Sequence, residues 1–344
     1  NTENYNTSMK PLATRLLSQA KESLDDSKEK LEESSISNYY HDSYKDYIDE
    51  EIDNAEETLK DSEKWFNKSL YYSSTSKSFQ SLIHSRFVDY ACDYYKHGNK
   101  SWIENLLEEV QGIYDNASKT AKSAKIEGYI TLQSVGAAQR RVSESYSYLS
   151  SAKDTYEQNG FFSFSEVMEF LYDIAFVVER CNSVSWWIDI GEKFNDTGSI
   201  TNDTIENLAL EYISEAQQSI FYSSILIEEM SSTYTESNSY LSSAQTLLDS
   251  AQDDLDNGYS AASLFEALEA LVKANIAIEI LGTNAEEKVD YAMDNANKNI
   301  ANIRNSGIEP ILAVSYYEFA ETLKNESSFN SALIYYKYSG MIAG

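Results

Sequence analysis

The chain has little of what interrupts helices and little of what performs chemistry. It holds two prolines and twelve glycines in 344 residues. Proline removes a helical donor and glycine carries extra backbone entropy, so their scarcity leaves long stretches able to coil. Both prolines, Pro11 and Pro310, stand where a helix could start, as first-turn residues. No stretch alternates apolar and polar residues as a half-buried strand does. Three histidines occur, His41, His84 and His97. None pairs with another at i, i+4 or lies near a cysteine at ligand spacing, so no nitrogen–sulfur metal site is expected. No histidine follows a glutamate by three, as a dimetal carboxylate bundle would need. Acidic runs such as Asp49-Glu50-Glu51 and Asp253-Asp254 lack the glycine and the spacing of a calcium loop and read as solvated helix faces. There is no glycine-rich phosphate loop. Serines are abundant without a positioned base. The expectation is a chain with no cofactor, no metal and no catalytic residue.

Two cysteines, Cys92 and Cys181, lie in apolar helical stretches, where a free thiol packs as a small hydrophobe. The net charge of −29 argues against nucleic acid or an anionic membrane as partner, since both repel it. Solubility is the plainer reading of that acidity. Asn-x-Ser/Thr triplets at Asn6, Asn67, Asn99, Asn116, Asn195, Asn202 and Asn325 permit glycosylation without implying it.

What is present is periodicity. Apolar residues repeat at helical spacing almost throughout, giving helices at 11–33, 41–66, 71–97, 101–126, 131–158, 163–190, 204–231, 238–256, 259–281, 284–305, 309–324 and 328–343. The stops between them are His97-Gly98-Asn99, Asn159-Gly160, Asn257-Gly258, Leu281-Gly282-Thr283-Asn284 and Ser306-Gly307. Thr131 is expected to cap the fifth helix and Ser163 or Ser165 the sixth. The sixth is apolar on nearly all sides, so it should be the central, buried helix. Glu169, Asp173, Glu179 and Arg180 interrupt it too often for a membrane span.

The polar stretch Phe194–Asp203 is the clearest boundary. It divides the chain into 1–193, a linker 194–203, and 204–344. Repetition is weak but visible. Tyr148–Val178 and Tyr240–Ile280 both begin YLSSA, reach an Asn-Gly turn, add an aromatic and run into an apolar helix. Ala313–Met341 is a third copy and Ala55–Phe87 a looser fourth. The fold class is therefore all-α, an array of about twelve helices in stacked antiparallel hairpins, like an α-solenoid or tetratricopeptide-type array or an irregular bundle.

Five residues stand out as binding candidates. Only six arginines occur, and Arg180 lies in the most apolar helix, where a guanidinium needs a partner. Counting back from the turn near Asn159-Gly160 gives Glu144 as that partner, with Glu179 facing outward or towards Arg140 or Arg141. An internal ion pair is the structural reading of these arginines; a basic spot for a peptide carboxylate is the functional one. Trp186 and Trp187 point about 100° apart on a helix, so one at most faces the core. Packing outweighs a ligand platform for this pair.

A family resemblance rests on Ala137-Ala138-Gln139-Arg140-Arg141, Ser151-Ala152, Val178-Glu179-Arg180 and Ser185-Trp186-Trp187. Segment 131–188 resembles the helical region that follows the protease domain in archaeal Lon-like (S16) serine peptidases of the secreted or membrane-anchored kind. The hairpins at 55–87 and 240–281 fit the same region. That resemblance implies an accessory module at or outside an archaeal cell surface. The serine–lysine protease domain of the family is not in this sequence, so no catalytic residue carries over, and any membrane anchor would lie outside it. The expected function is a non-catalytic module for protein or peptide interaction, assembly or spacing from the membrane. The alternatives are a free-standing extracellular scaffold, an enzyme with a carboxylate-lined cleft between helices, or, for placement, the cytoplasm.

Overall fold

A computed structural model describes residues 2–36, 38–159, 163–194, 196, 198–229, 235–281 and 285–344. Of these, 89% are helical, in twelve helices, and no strand is present among them. In order the helices are α1 (Thr2–Ser34), α2 (Asn38–Asn67), α3 (Tyr71–His97), α4 (Lys100–Ser123), α5 (Tyr129–Asn159) and α6 (Phe164–Glu192). The rest are α7 (Asn202–Glu229), α8 (Thr235–Asp256), α9 (Ser260–Glu279), α10 (Glu286–Asn305), α11 (Ile311–Asn325) and α12 (Phe329–Ile342). The expected helices are all found. The expected stops at Asn159-Gly160 and Leu281-Gly282-Thr283-Asn284 fall on residues 160 and 282–284, which lie outside the described residues.

Two local expectations are corrected. Pro11 is not a first-turn residue but stands inside α1. Helix continues on its N-terminal side because Tyr5 and Met9 are buried and hold that end by packing. Thr131 is not the N-cap of α5. Its hydroxyl accepts from the amides of Glu127 and Gly128 at 2.8 and 2.9 Å, while its own amide donates to Asp196 Oδ2 at 2.7 Å. The α6 cap is Ser163, whose amide donates to Glu166 Oε2 at 2.7 Å, one half of a capping box.

The hairpins share one turn. In α2–α3 the Leu70 amide donates to Trp65 O. In α8–α9 Tyr259 donates to Asp254 O, and in α11–α12 Ser328 donates to Leu323 O. Each donor follows a residue of positive φ: Ser69 at 62°, Gly258 at 80° and Ser327 at 59°. This is a Schellman stop, in which a left-handed residue lets the chain fold back onto its own last carbonyls. A buried serine then ties each pair together. Ser62 donates to Ser74 O, Ser263 to Ala251 O and Ser339 to Ala313 O, at 2.7–2.9 Å.

The chain forms two compact units. The first comprises Asn1–Asn6, Ala121–Arg140 and Trp187–Gly344; the second comprises Thr7–Thr120 and Arg141–Trp186. The stretch 194–203, expected to separate domains, lies inside the first unit. Residues 193–201 do form the longest connection between helices. Polarity marked that loop correctly, but Asp196 anchors it to the start of α5.

In the first unit α7 and α8 pack on α9 and on each other, and α12 packs on α9, α10 and α11. The α7–α8–α9 core is alanine-rich: Ala216, Ala244, Ala251, Ala267, Ala270 and Ala274 line it with Ile213, Ile220, Leu247 and Leu248. Small side chains let the helix backbones approach closely. In the second unit α6 is the central helix, as expected from its composition. Phe176 meets Phe79 of α3 and Tyr148 of α5, Tyr172 meets His84 and Phe87 of α3, and Phe164 meets Tyr47 of α2.

Candidate functional site

Two of the arginines singled out by sequence, Arg180 and Arg140, form ion pairs, each within its own unit. In the second unit Arg180 Nε donates to Glu144 Oε2 at 2.6 Å, and its guanidinium lies 5.5 and 5.8 Å from the ring centroids of Phe79 and Phe176. The pair is half-buried rather than deep. Glu179 faces neither outward nor towards Arg140 or Arg141. It is buried, 3% exposed, and bonded to Arg86 of α3. The correction follows from helix geometry: residues 179 and 180 point about 100° apart, so they meet different neighbours.

In the first unit Arg140 Nη1 donates to Glu269 Oε2 at 2.6 Å, with Glu266 Oε1 3.5 Å from its Nε. Burial alone would raise the Glu269 carboxyl, but Arg140 and Lys273 outweigh it and hold it below its ordinary range. Nearby Tyr338 donates to Phe265 O at 2.8 Å, and burial pushes its phenol well above the usual value. Arg141 is half-buried and its carbonyl accepts from Ser145 Oγ at 2.7 Å. Cys92 and Cys181 are buried free thiols, pushed up to about 11 by burial. Trp187 is buried and Trp186 half-buried, as their spacing required.

Trp186 lines a groove. A cleft of about 500 Å³ in the second unit lies between α1, α3 and α6. Carboxylates enter it from all three: Glu22 and Asp26 from α1, Asp89 from α3, Glu179 from α6. Burial pushes the Asp89 carboxyl up, against the pull of Lys30 and of the Ser27 hydroxyl, which donates at 2.9 Å. Glu179 is paired with Arg86 of α3 across the cleft. The cleft thus combines a half-buried carboxyl held above its ordinary range, an ion pair and an indole. Among the described residues no group of histidine, cysteine or carboxylate side chains is arranged to hold a metal ion.

A larger groove was not anticipated by sequence reasoning. It measures about 880 Å³ and lies between α7 and α8 in the first unit. Ile220, Phe221 and Leu241 supply its apolar lining, and Gln217, Gln218 and Gln245 supply amides. None of its lining residues is charged. The local cause is a narrow core seam. Helix α7 buries Ile205, Ala209, Ile213, Ala216, Ile220, Ser223 and Ile227, all at steps of three or four. That seam satisfies α8 and α9, yet α7 carries further large apolar residues. Leu210, Phe221, Tyr222 and Ile225 remain exposed, by 50, 67, 59 and 38%. Leu210, Phe221 and Ile225 share the face that borders the groove, by their helical spacing with Ser214 and Gln218. The sequence shows that α7 carries two sets of apolar residues, but which set α8 and α9 cover is set by packing alone.

No helix among the described residues is long and apolar enough to cross a membrane. No protein-family model, no curated protein and no solved structure matches this chain.

Proposed function

We propose that this chain is a non-catalytic helical-hairpin module that binds a protein or peptide segment on the α7–α8 face. The uncharged groove carries this reading. Isolated exposed hydrophobics are ordinary, but three on one helical face beside a groove with apolar lining residues mark an interaction site. A volume of about 880 Å³ is enough for several side chains of a docked segment. The accessory region of a Lon-like peptidase at an archaeal cell surface remains the proposed setting, supported by the short motifs around Arg140, Arg180 and Trp186. A reading frame whose neighbouring domain lacked a serine–lysine protease pattern would remove that setting. The binding reading is tested by selecting peptides from a displayed random library on the full chain and mapping them by hydrogen exchange. Enriched peptides that slow exchange across 210–225 and 238–249 support it. A library that yields no enriched binder sinks it.

The second-unit cleft favours a second reading, an enzyme using Asp89 as a general acid. Chromogenic glycosides and esters supply the test, offered to the full chain between pH 4 and 7. Turnover that vanishes in Asp89→Asn with the fold intact would support it, and no turnover on any substrate counts against it.

A further inference from the structure

The binding reading of the α7–α8 face extends to the chemistry of its partner. From Phe194 to Val272 the chain contains no Lys, Arg or His, while carboxylates recur throughout. Helices α7 and α8 therefore have no cation of their own. Their exposed carboxylates are not spread evenly around the groove face. Glu206 and Glu228 sit on the groove side of α7, beyond the two ends of its uncharged stretch, and both are exposed. On α8, Asp249 and Asp253 continue the line that Leu241, Ser242 and Gln245 begin, and both are exposed. The face is an apolar, amide-lined trough with negative ends.

We propose that this trough docks a cationic amphipathic helix. Its apolar seam, at i, i+3, i+4 and i+7, lies on Ile220, Phe221 and Leu241, and lysines or arginines bordering that seam meet Glu206, Glu228, Asp249 and Asp253. The charge pattern selects this occupant. A second copy of a chain at −29 brings more carboxylates to the same edge, so self-association is repelled. An acidic peptide fails in the same way. A helix rather than an extended segment is required because no strand edge exists among the described residues to pair an open backbone. A helix satisfies its own backbone and presents side chains alone, and the furrow between two helices is the shape a third fills. The three groove glutamines can hydrogen-bond to polar side chains at the margin of such a seam.

This inference rests on the peptide-binding reading, and the experiment separates the two. The probe is a fluorescein-labelled peptide of about 18 residues, roughly five helical turns, with leucines at seam positions and lysines elsewhere. Controls are the same composition scrambled and the same pattern with glutamate in place of lysine. Anisotropy titrations use the full chain at low and at physiological salt. The patterned lysine peptide is expected to bind, to weaken as salt rises, and to lose about tenfold or more on scrambling or charge reversal. Phe221→Ala should weaken it by about tenfold, as for a central interface aromatic, and Ile225→Ala less. Both residues are exposed, so circular dichroism and thermal unfolding should be unchanged. Equal binding of the scrambled peptide, or unchanged affinity in Phe221→Ala, would overturn the proposal by reducing the contact to charge alone. Library peptides that protect the same face but are acidic or extended would also overturn it, while leaving the peptide-binding reading in place. Failure of every peptide removes both.

Discussion

Gln133 Oε1 accepts a hydrogen bond from the Leu312 amide at 2.8 Å, across 179 residues of chain. The start of α11 has no side-chain cap of its own, because Pro310 stands at its N-cap position. Six residues further along α5, Gln139 Oε1 accepts from the amides of Ala261 and Ala262 at 3.1 and 3.2 Å, and so caps α9. Both glutamines are buried. Helix α5 therefore supplies the missing caps of two other helices. Replacing either glutamine by alanine strands helix-start N–H groups away from water and should cost about 1–3 kcal/mol. Thermal unfolding of Gln133→Ala and Gln139→Ala checks this; losses below a few tenths of a kcal/mol would show that the caps contribute nothing.

The Schellman turns predict the opposite sign elsewhere. Ser69 and Ser327 hold φ near +60°, a conformation costing a side-chain-bearing residue about 1 kcal/mol. At the matching position of α8–α9 the chain uses Gly258. Ser69→Gly and Ser327→Gly should therefore raise stability by a fraction of that, partly offset by the added freedom of the unfolded chain. Gly258→Ala should lower it. Denaturant midpoints of the three variants decide the matter, and a Gly258→Ala midpoint equal to that of the parent would refute the account.

The two ion pairs of α6 should respond differently. Glu179 is 3% exposed, so removing Arg86 leaves a buried carboxylate without its cation, a loss of about 3–5 kcal/mol. Arg180 and Glu144 are half-buried, and Arg180 also packs on two rings. Glu144→Ala should cost about 1–3 kcal/mol, and Arg180→Met less, since the methionine keeps the ring contacts and leaves no lone cation. A double-mutant cycle on each pair, read by thermal unfolding, should give the larger coupling for Arg86–Glu179. Additive effects at that pair would sink the prediction.

Asp173 of α6 supplies a pH dependence. Burial, reinforced by the charge of Glu169 and opposed by a hydrogen bond from Ser151, raises its carboxyl to about 6. The folded-state value lies above the unfolded one of about 3.8. The fold thus favours the protonated form, and that advantage is complete below about 3.8 and lost as pH rises through about 6. Asp173→Asn mimics the protonated form. Its melting temperature should match the parent near pH 3.5 and exceed it above pH 6, with the gap opening between. A gap independent of pH would show that Asp173 does not titrate in this range.

How much of this could be read from the chain alone depends on the range of each interaction. The twelve helices were legible because their period is local, and the stops at Gly258 and Gly307 because a left-handed residue needs only its near neighbours. The Arg180–Glu144 contact was legible too, since counting back from a turn sets the register of two antiparallel helices. The two tryptophans divided as a 100° rotation requires. Polarity likewise located the longest loop, but not the fact that Asp196 ties it to α5.

What the sequence by itself determined, then, is which stretches coil into helices and where most of them fold back, for those outcomes are set within a few residues; the start of α1, held by the buried Tyr5 and Met9, was not among them. Tertiary structure alone decided that Gln133 and Gln139 cap helices more than a hundred residues away, and that Glu179 is Arg86's partner. It also decided that α7's second set of apolar residues stays outside. Each of these depends on which surfaces meet, and no period in the chain records that. The α7 seam is complete once α8 and α9 cover it. Only their placement leaves Leu210, Phe221 and Ile225 beside an open trough, and only there do distant carboxylates on two helices come to frame it.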